Sequence, residues 1–458
     1  MAAADGQQVP SLPLALDGGF ALRYNEDGAR GCKVRRSQAV NYPKMIGIRQ
    51  EFERPRVDDI ALAVRQELEK LNLGARIKPD QSVALTAGSR GIANIPVILR
   101  AVVQFLKQLG ARPFLVPAMG SHAGGIAEGQ RRLLESYGIT EEFVGAPIRA
   151  SMDVVSLGST ADDFPVVLDR FAGQADHIGV VARIKPHTGF HGAVESGLLK
   201  MMMIGLGKHA GALEYHRILL ERPWEQVVRA VSRHIRSHAP ISFGLAVVEN
   251  AYDETARIEA ISPADFEPRE EALLNLARRW LPQLPFRQAD VLIIDEIGKD
   301  ISGSGMDTNV VGRKRAFRLD KAPDDQPVMR LIFVRGLTEK THGNAAGIGM
   351  ADFTTTRLVQ AMNYRETVIN CLTAGYPEGA NLPVHFETDR EVLDAALAII
   401  GTRRSEEARI VHVRNTLQLE KALISEPCLA ENGRATRFHI ERPAAPLAFD
   451  PRGNLLPL

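Results

Sequence analysis

Cysteine is scarce: Cys32, Cys371 and Cys428 are the three in 458 residues. They are too few for a disulfide framework and too scattered for a zinc pattern. An excess of either charge is also missing. Lys and Arg number 56 against 55 Asp and Glu, a formal charge of +1, which excludes a polybasic nucleic-acid binder. Aromatic residues are only 6%, thin for a surface that stacks single strands. No apolar run approaches the roughly 18 residues of a membrane span; the longest, 197–207, carries Lys200. The opening stretch 1–19 has neither the cationic start nor the apolar core of a secretory signal. These absences lead to the expectation of a cytoplasmic protein with no nucleic-acid and no membrane partner. What is present is ordinary globular composition, 45% hydrophobic and 24% charged, long enough for two or three domains of about 150 residues.

The first 40 residues or so read as an extended arm or short strand. A helix is predicted from Asp58 as cap, with Ile60, Val64, Leu68 and Leu71 at helical spacing and a stop at Leu73-Gly74. An alternation of strand, Gly-rich loop and helix follows. Strands are predicted at 82–86, 113–117, 177–182 and 243–249, with helices at 95–109, 127–137 and 224–238. A charged helix at 270–280, with prolines on both sides, reads as a connection. A second α/β unit then has strands at 289–295, 329–334 and 409–413. The predicted fold class is α/β: two α/β domains with mostly parallel sheets and the active site in the interdomain cleft. The boundaries are 1–270 for an N-terminal catalytic domain, 286–425 for a C-terminal α/β domain, and 426–458 for a tail that could return to the N-terminal domain.

Histidine is the informative residue type. His187, His191, His209 and His216 are close in sequence, and His122 sits in the earlier loop Gly120-Ser-His-Ala-Gly124. Imidazoles in loops at strand ends suit acid–base work or metal ligation. Pro186 would aim the ring of His187, His191 is evenly balanced between roles, and His209 is expected to be solvated. Lys200 stands in the apolar stretch 198–204 and must snorkel, pair or be neutralised; a desolvated lysine can become a nucleophile or a tether. Arg90 opens a helix after a strand, a natural anion site. Lys299 and Asp300 follow the first strand of the second domain, where a lysine would help clamp an anionic substrate or the two would stabilise a turn. Asn344 and Asp352 rank lower. No phosphate loop, dinucleotide fingerprint or nucleophile elbow is complete.

Taken together, Ser89-Arg90 through Pro96, Gly120-Ser-His122, Lys185-Pro-His187 through Gly192, Lys200 with Gly205, His216 and Ile297-Gly-Lys-Asp300 resemble the nickel-pincer nucleotide-dependent lactate racemase family. The resemblance implies an isomerase, a racemase or epimerase of an α-hydroxy acid, with a sugar acid within range. It implies hydride transfer to and from a nickel-pincer nucleotide. His122 and His187 resemble the family's acid–base pair, Lys200 the lysine that tethers the cofactor, and His216 the nickel ligand. Arg90 resembles an anion-binding arginine that would serve cofactor and substrate, and Lys299 a second-domain lysine lining the site. The implied partners are a small hydroxy acid and the enzymes that make the cofactor. The chain departs from the pattern in a longer segment between His187 and Lys200, in an alternative placement that puts Glu195 at the tether position, and in Ala87 where an aspartate is expected. These departures point to a divergent branch that acts on something other than lactate. Two other readings stand beside it: a cofactor-free binding protein for hydroxy acids, which would leave Lys200 away from the cleft, and a zinc hydrolase built on His187, His191 and His216.

Overall fold

The apolar runs become strands, most of them buried on both faces. A computed structural model describes residues 40–89, 91–314, 325–401, 403–430 and 436–458. In chain order its strands are β1 (Met45–Glu51), β2 (Ser82–Ala87), β3 (Arg112–Pro117), β4 (Val154–Ser159), β5 (Pro165–Asp169), β6 (His177–Arg183), β7 (Ile241–Glu249), β8 (Thr255–Ile261), β9 (Gln288–Ile294), β10 (Val328–Val334), β11 (Phe353–Thr355), β12 (Val384–Phe386), β13 (Ile410–Val413), β14 (Lys421–Ser425) and β15 (Arg437–Ala445). One sheet has the order β3-β2-β6-β7-β8, parallel except for β8. The other has the order β12-β11-β10-β9-β13-β14-β1-β15, parallel from β12 to β13 and antiparallel beyond. The chain is therefore α/β with mostly parallel sheets. The pair β4–β5 forms a separate antiparallel ribbon.

Side chains alternate across each sheet. Ala84, Val116 and Val180 pack under Leu198, Met202 and Trp224, while Val83, Leu115 and Val181 pack under Val64, Leu99 and Val102. Burial on both faces is why these strands read as nearly continuous apolar runs.

Both sheets contain a point where strand order reverses. In the first, β2 lies between β3 and β6; in the second, β9 lies between β10 and β13. Crevices open at the carboxyl ends of strands flanking such points. The two carboxyl edges meet each other. Lys185 Nζ is 3.3 Å from Asp307 Oδ2, the Thr308 hydroxyl donates to the Thr188 carbonyl at 2.7 Å, and Lys314 pairs with Glu195 at 2.9 Å.

The structure differs from the sequence expectation in several places. The first helix, Ile60–Glu69, is capped by Asp59, whose carboxylate accepts the Leu62 N–H; Asp58, one residue earlier, faces solvent. The connecting helix starts earlier, at Phe266–Trp280. β1 lies inside the eight-stranded sheet, between β14 and β15, and the 426–458 tail adds β15 there. The sheets thus divide the chain differently from boundaries drawn along the sequence, because strand partners remote in sequence leave no local pattern. The N-terminal arm expected before residue 40, with Cys32, lies outside the described residues.

Candidate active site

The site gathers around Lys200. Leu198–Lys200 is one helical turn, held at its start by Glu270, whose Oε2 accepts the Leu199 N–H at 3.0 Å. Glu270 is fully buried, and burial lifts its carboxyl to about 7. After Lys200 the backbone widens into a π-turn, Met201–Gly205, with the Leu206 N–H bonded to the Met201 carbonyl at 2.9 Å. π-turns inside helices recur at functional sites. Gly205 closes the turn against the Ala118 carbonyl, which a Cβ would meet at 2.9 Å.

Three loops at the end of the five-stranded sheet surround this turn. The loop after β2 brings Gly88 against Met201 and Ser89 toward His122. The loop after β3 has left-handed backbone at Gly120, φ +56°, where Ile204 lies 3.1 Å from the position of a Cβ; glycine removes both penalties. His122 follows, exposed, with Nδ1 hydrogen-bonded to the Ser89 hydroxyl. Beneath this loop is a lysine that sequence reasoning passed over. Lys208 is wholly buried. It donates to the Pro117 carbonyl at 2.7 Å and to Gln130 Oε1 at 3.3 Å, and lies 3.2 Å from Asp169. Burial pulls Lys208 down and pushes Asp169 up. Gln130 in turn donates to the carbonyls of Gly120 and His122 at 3.0 and 3.4 Å. His209, expected in solvent, is half-buried and packs against Gly125 of the same loop.

The loop after β6 holds His187. Its backbone N–H donates to Glu195 Oε2 at 2.6 Å, and its ring Nδ1 accepts the N–H groups of Gly189 and Phe190, both at 3.0 Å. The ring stacks on Phe190 at 4.3 Å, and Phe190 stacks on Trp224 at 3.9 Å. Lys200 Nζ lies 5.6 Å from the centre of the Phe190 ring, on its π-face. Glu195 is a buried hub and not a tether. It accepts His191 Nδ1 at 3.1 Å, Arg278 at 2.8 Å and Lys314 at 2.9 Å. Burial opposes its charge, but these donors together hold its carboxyl down at about 2. A carboxylate so committed has no lone pair to spare for a cofactor.

His216 and Lys299 extend the site across to the other half. His216 Nδ1 donates to the Thr373 carbonyl at 3.3 Å, at the end of the helix Tyr364–Thr373. Burial lowers its pKa, and the nearby charge of Lys200 lowers it further. Lys299 Nζ donates to the Gly303 carbonyl at 2.5 Å and to Asn370 Oδ1, on that same helix, at 2.6 Å. Asp300 accepts the Thr338 hydroxyl at 2.5 Å. Of the lower-ranked residues, Asp352 pairs with Arg313 at 2.7 Å, and Asn344 closes its own turn through the Ala346 N–H at 3.1 Å. Arg90 lies outside the described residues.

The donor set bears on metal and cofactor. With Nδ1–H committed to a carbonyl, neutral His216 carries its lone pair on Nε2, the form and orientation of a metal ligand. Lys200 is half-buried, and its charge is felt at His216. These two residues fit a tethered, metal-bearing group. Among the described residues no group of three or more His, Cys, Asp or Glu side chains is placed to hold a metal. His187, His191 and His216 therefore do not form the three-imidazole centre that the zinc reading requires.

No protein-family model and no curated protein matches the chain. Among solved structures, the lactate racemase apoprotein from Thermoanaerobacterium thermosaccharolyticum is similar at 11% sequence identity and a TM-score of 0.48, over 85% of this chain and 97% of that one. This is a distant likeness of fold. No helix among the described residues is long and apolar enough to cross a membrane.

Proposed function

We propose that the chain is an isomerase, a racemase or epimerase of a small α-hydroxy acid, working in the cleft between its two halves with a nickel-pincer nucleotide. The observation that carries this reading is His216 with its Nδ1 proton held by the Thr373 carbonyl, leaving Nε2 for a metal, in the same half of the molecule as the half-buried Lys200 at the head of the π-turn. In this reading Lys200 tethers the group and His216 Nε2 ligates its metal. When bound, such a group would accept a hydride from the α-carbon and return it. The protein's own residues do the rest. His122 and His187 face the substrate as its acid–base and hydrogen-bonding groups. Lys299, together with Arg90 on the strength of the sequence resemblance, meets the carboxylate. The stacked Phe190 and Trp224 fix one wall and exclude water from it.

The test is intact mass and nickel content of the full chain co-expressed with pincer-nucleotide biosynthetic enzymes. The expected result is a nucleotide-sized adduct mapping to Lys200 and about one nickel per chain, both lost in Lys200→Ala. The adduct should persist in His216→Ala with nickel reduced, because the tether and the metal ligand are separate residues. Unmodified protein without nickel would overturn the reading in favour of a cofactor-free binding protein.

A further inference from the structure

The two candidate histidines are equivalent in sequence logic but not in chemistry. His187 Nδ1 accepts two backbone N–H groups, from Gly189 and Phe190. A ring nitrogen that accepts carries no proton, and a neutral imidazole has one N–H, so that proton is on Nε2. Turning the ring over would set a C–H against both amides. The stack on Phe190, itself pressed on the buried Trp224, opposes that rotation. Protonating Nδ1 would break both hydrogen bonds from the amides, and an amide N–H cannot turn acceptor. His122 is different. Its Nδ1 partner is the Ser89 hydroxyl, which can donate or accept by rotating. Ser89 therefore tolerates every protonation state of its ring.

We infer that the histidines divide the work: His187 presents a fixed Nε2–H as a hydrogen-bond donor, and His122 alone moves the proton. This rests on the proposed hydroxy-acid reading for its substrate, and it replaces the symmetric acid–base pair expected from the sequence. In the proton step the substrate O–H bond breaks, its electron pair stays on oxygen, and the proton joins a nitrogen of His122. The Nε2–H of His187 stabilises the negative charge growing on that oxygen without giving up its own proton. Donors fixed in advance by the backbone are effective in this role because nothing has to reorient as charge develops. A site with one base works on both enantiomers only if the planar intermediate can turn so that either of its faces meets the returning hydride while its oxygen stays within reach of that base. The structure therefore points to a single proton carrier instead of two opposed ones.

The full chain labelled with 15N-histidine tests this without a substrate. Long-range 1H–15N spectra at neutral pH, with His187 assigned by its loss in both His187→Asn and His187→Gln, are expected to show unprotonated Nδ1 and protonated Nε2. A protonated Nδ1, or a mixture of tautomers, overturns the inference whatever the enzyme's activity. With the loaded protein, His187→Gln, which keeps an N–H donor at similar reach, should retain kcat within about tenfold, while His122→Gln should lose about 10²- to 10⁴-fold. Equal losses in the two variants would overturn the division of labour. Absence of any racemisation by the unaltered loaded protein, with the ring spectrum as expected, would count against the racemase reading and leave the fixed donor standing.

Discussion

The loops of His122 and His187 leave the two strands that flank β2, and they are supported in opposite ways. The His122 loop rests on a buried cation: Lys208 grips the Pro117 carbonyl and Gln130, and Gln130 holds the loop carbonyls. The His187 loop rests on a buried anion: Glu195 gathers the loop N–H, His191 and two cations, one of them supplied by the other half of the molecule. Cationic support grips carbonyls and leaves the imidazole to a side-chain hydroxyl. Anionic support grips amides, and the amides left over in the loop take the imidazole itself. The lesson is that the charge placed under a loop decides which backbone groups remain to set the chemistry of the side chain above it.

The largest expected effects come from removing the two supports. Glu195→Ala leaves Lys314 and Arg278 without their carboxylate and should cost about 3–5 kcal/mol, the range for breaking a buried pair, read as a lower denaturant midpoint. It should loosen the His187 ring signals and leave those of His122 in place. Lys208→Met should cost a similar amount, about 3–5 kcal/mol, and do the reverse. If either variant disturbs both rings equally, the two supports are not independent. Acid should also remove the anionic support. Glu195 is held down at about 2, so its contribution is complete above the ordinary carboxylate range and is lost as pH falls toward 2.

A smaller effect tests the helical turn that both loops share. Glu270 is lifted to about 7, so its protonated form belongs to the folded state. Its contribution is complete below the ordinary carboxylate range and is lost as pH rises through 7, by about 3 kcal/mol at 1.36 kcal/mol per pH unit. Glu270→Gln should therefore match the unaltered chain near pH 4.5 and be the more stable of the two at pH 8. Denaturant unfolding at both pH values checks the sign. The smallest effect is that of Ser89→Ala, which removes one exposed hydrogen bond. It should change stability by less than about 1 kcal/mol, yet it should move the ring resonances of His122 in NMR and leave those of His187 in place.

Much of this was legible in the sequence wherever the physics is local. Strands β2, β3, β6, β7, β9 and β10 stand out because burial on both faces makes them apolar runs, and the glycines after β2 and β3 mark the loops that carry Ser89 and His122. Lys200, His187 and His216 were selected by residue type and surroundings, and the fold brings them around one turn. What was not legible depends on distant partners. Lys208 looked ordinary because Asp169 and Gln130 reach it from other elements. Glu195 looked like a rival tether because Lys314 lies 119 residues away. The tautomer of His187 follows from which two amides the loop turns inward, and no residue pattern encodes that. β1 and β15 were missed for the same reason.

That last pairing has a consequence for how the molecule is made. β1 is synthesised long before its neighbours β14 and β15, and Arg49 meets a glutamate 371 residues further along the chain. Every strand of the five-stranded sheet is synthesised in between, so that sheet can close while β1 is still an unpaired ribbon. Pairings across such separations form slowly, and nascent chains with open strand edges are prone to misassembly. The eight-stranded sheet is therefore completed late, and β1 must wait for the last strands of the chain before both its edges are paired.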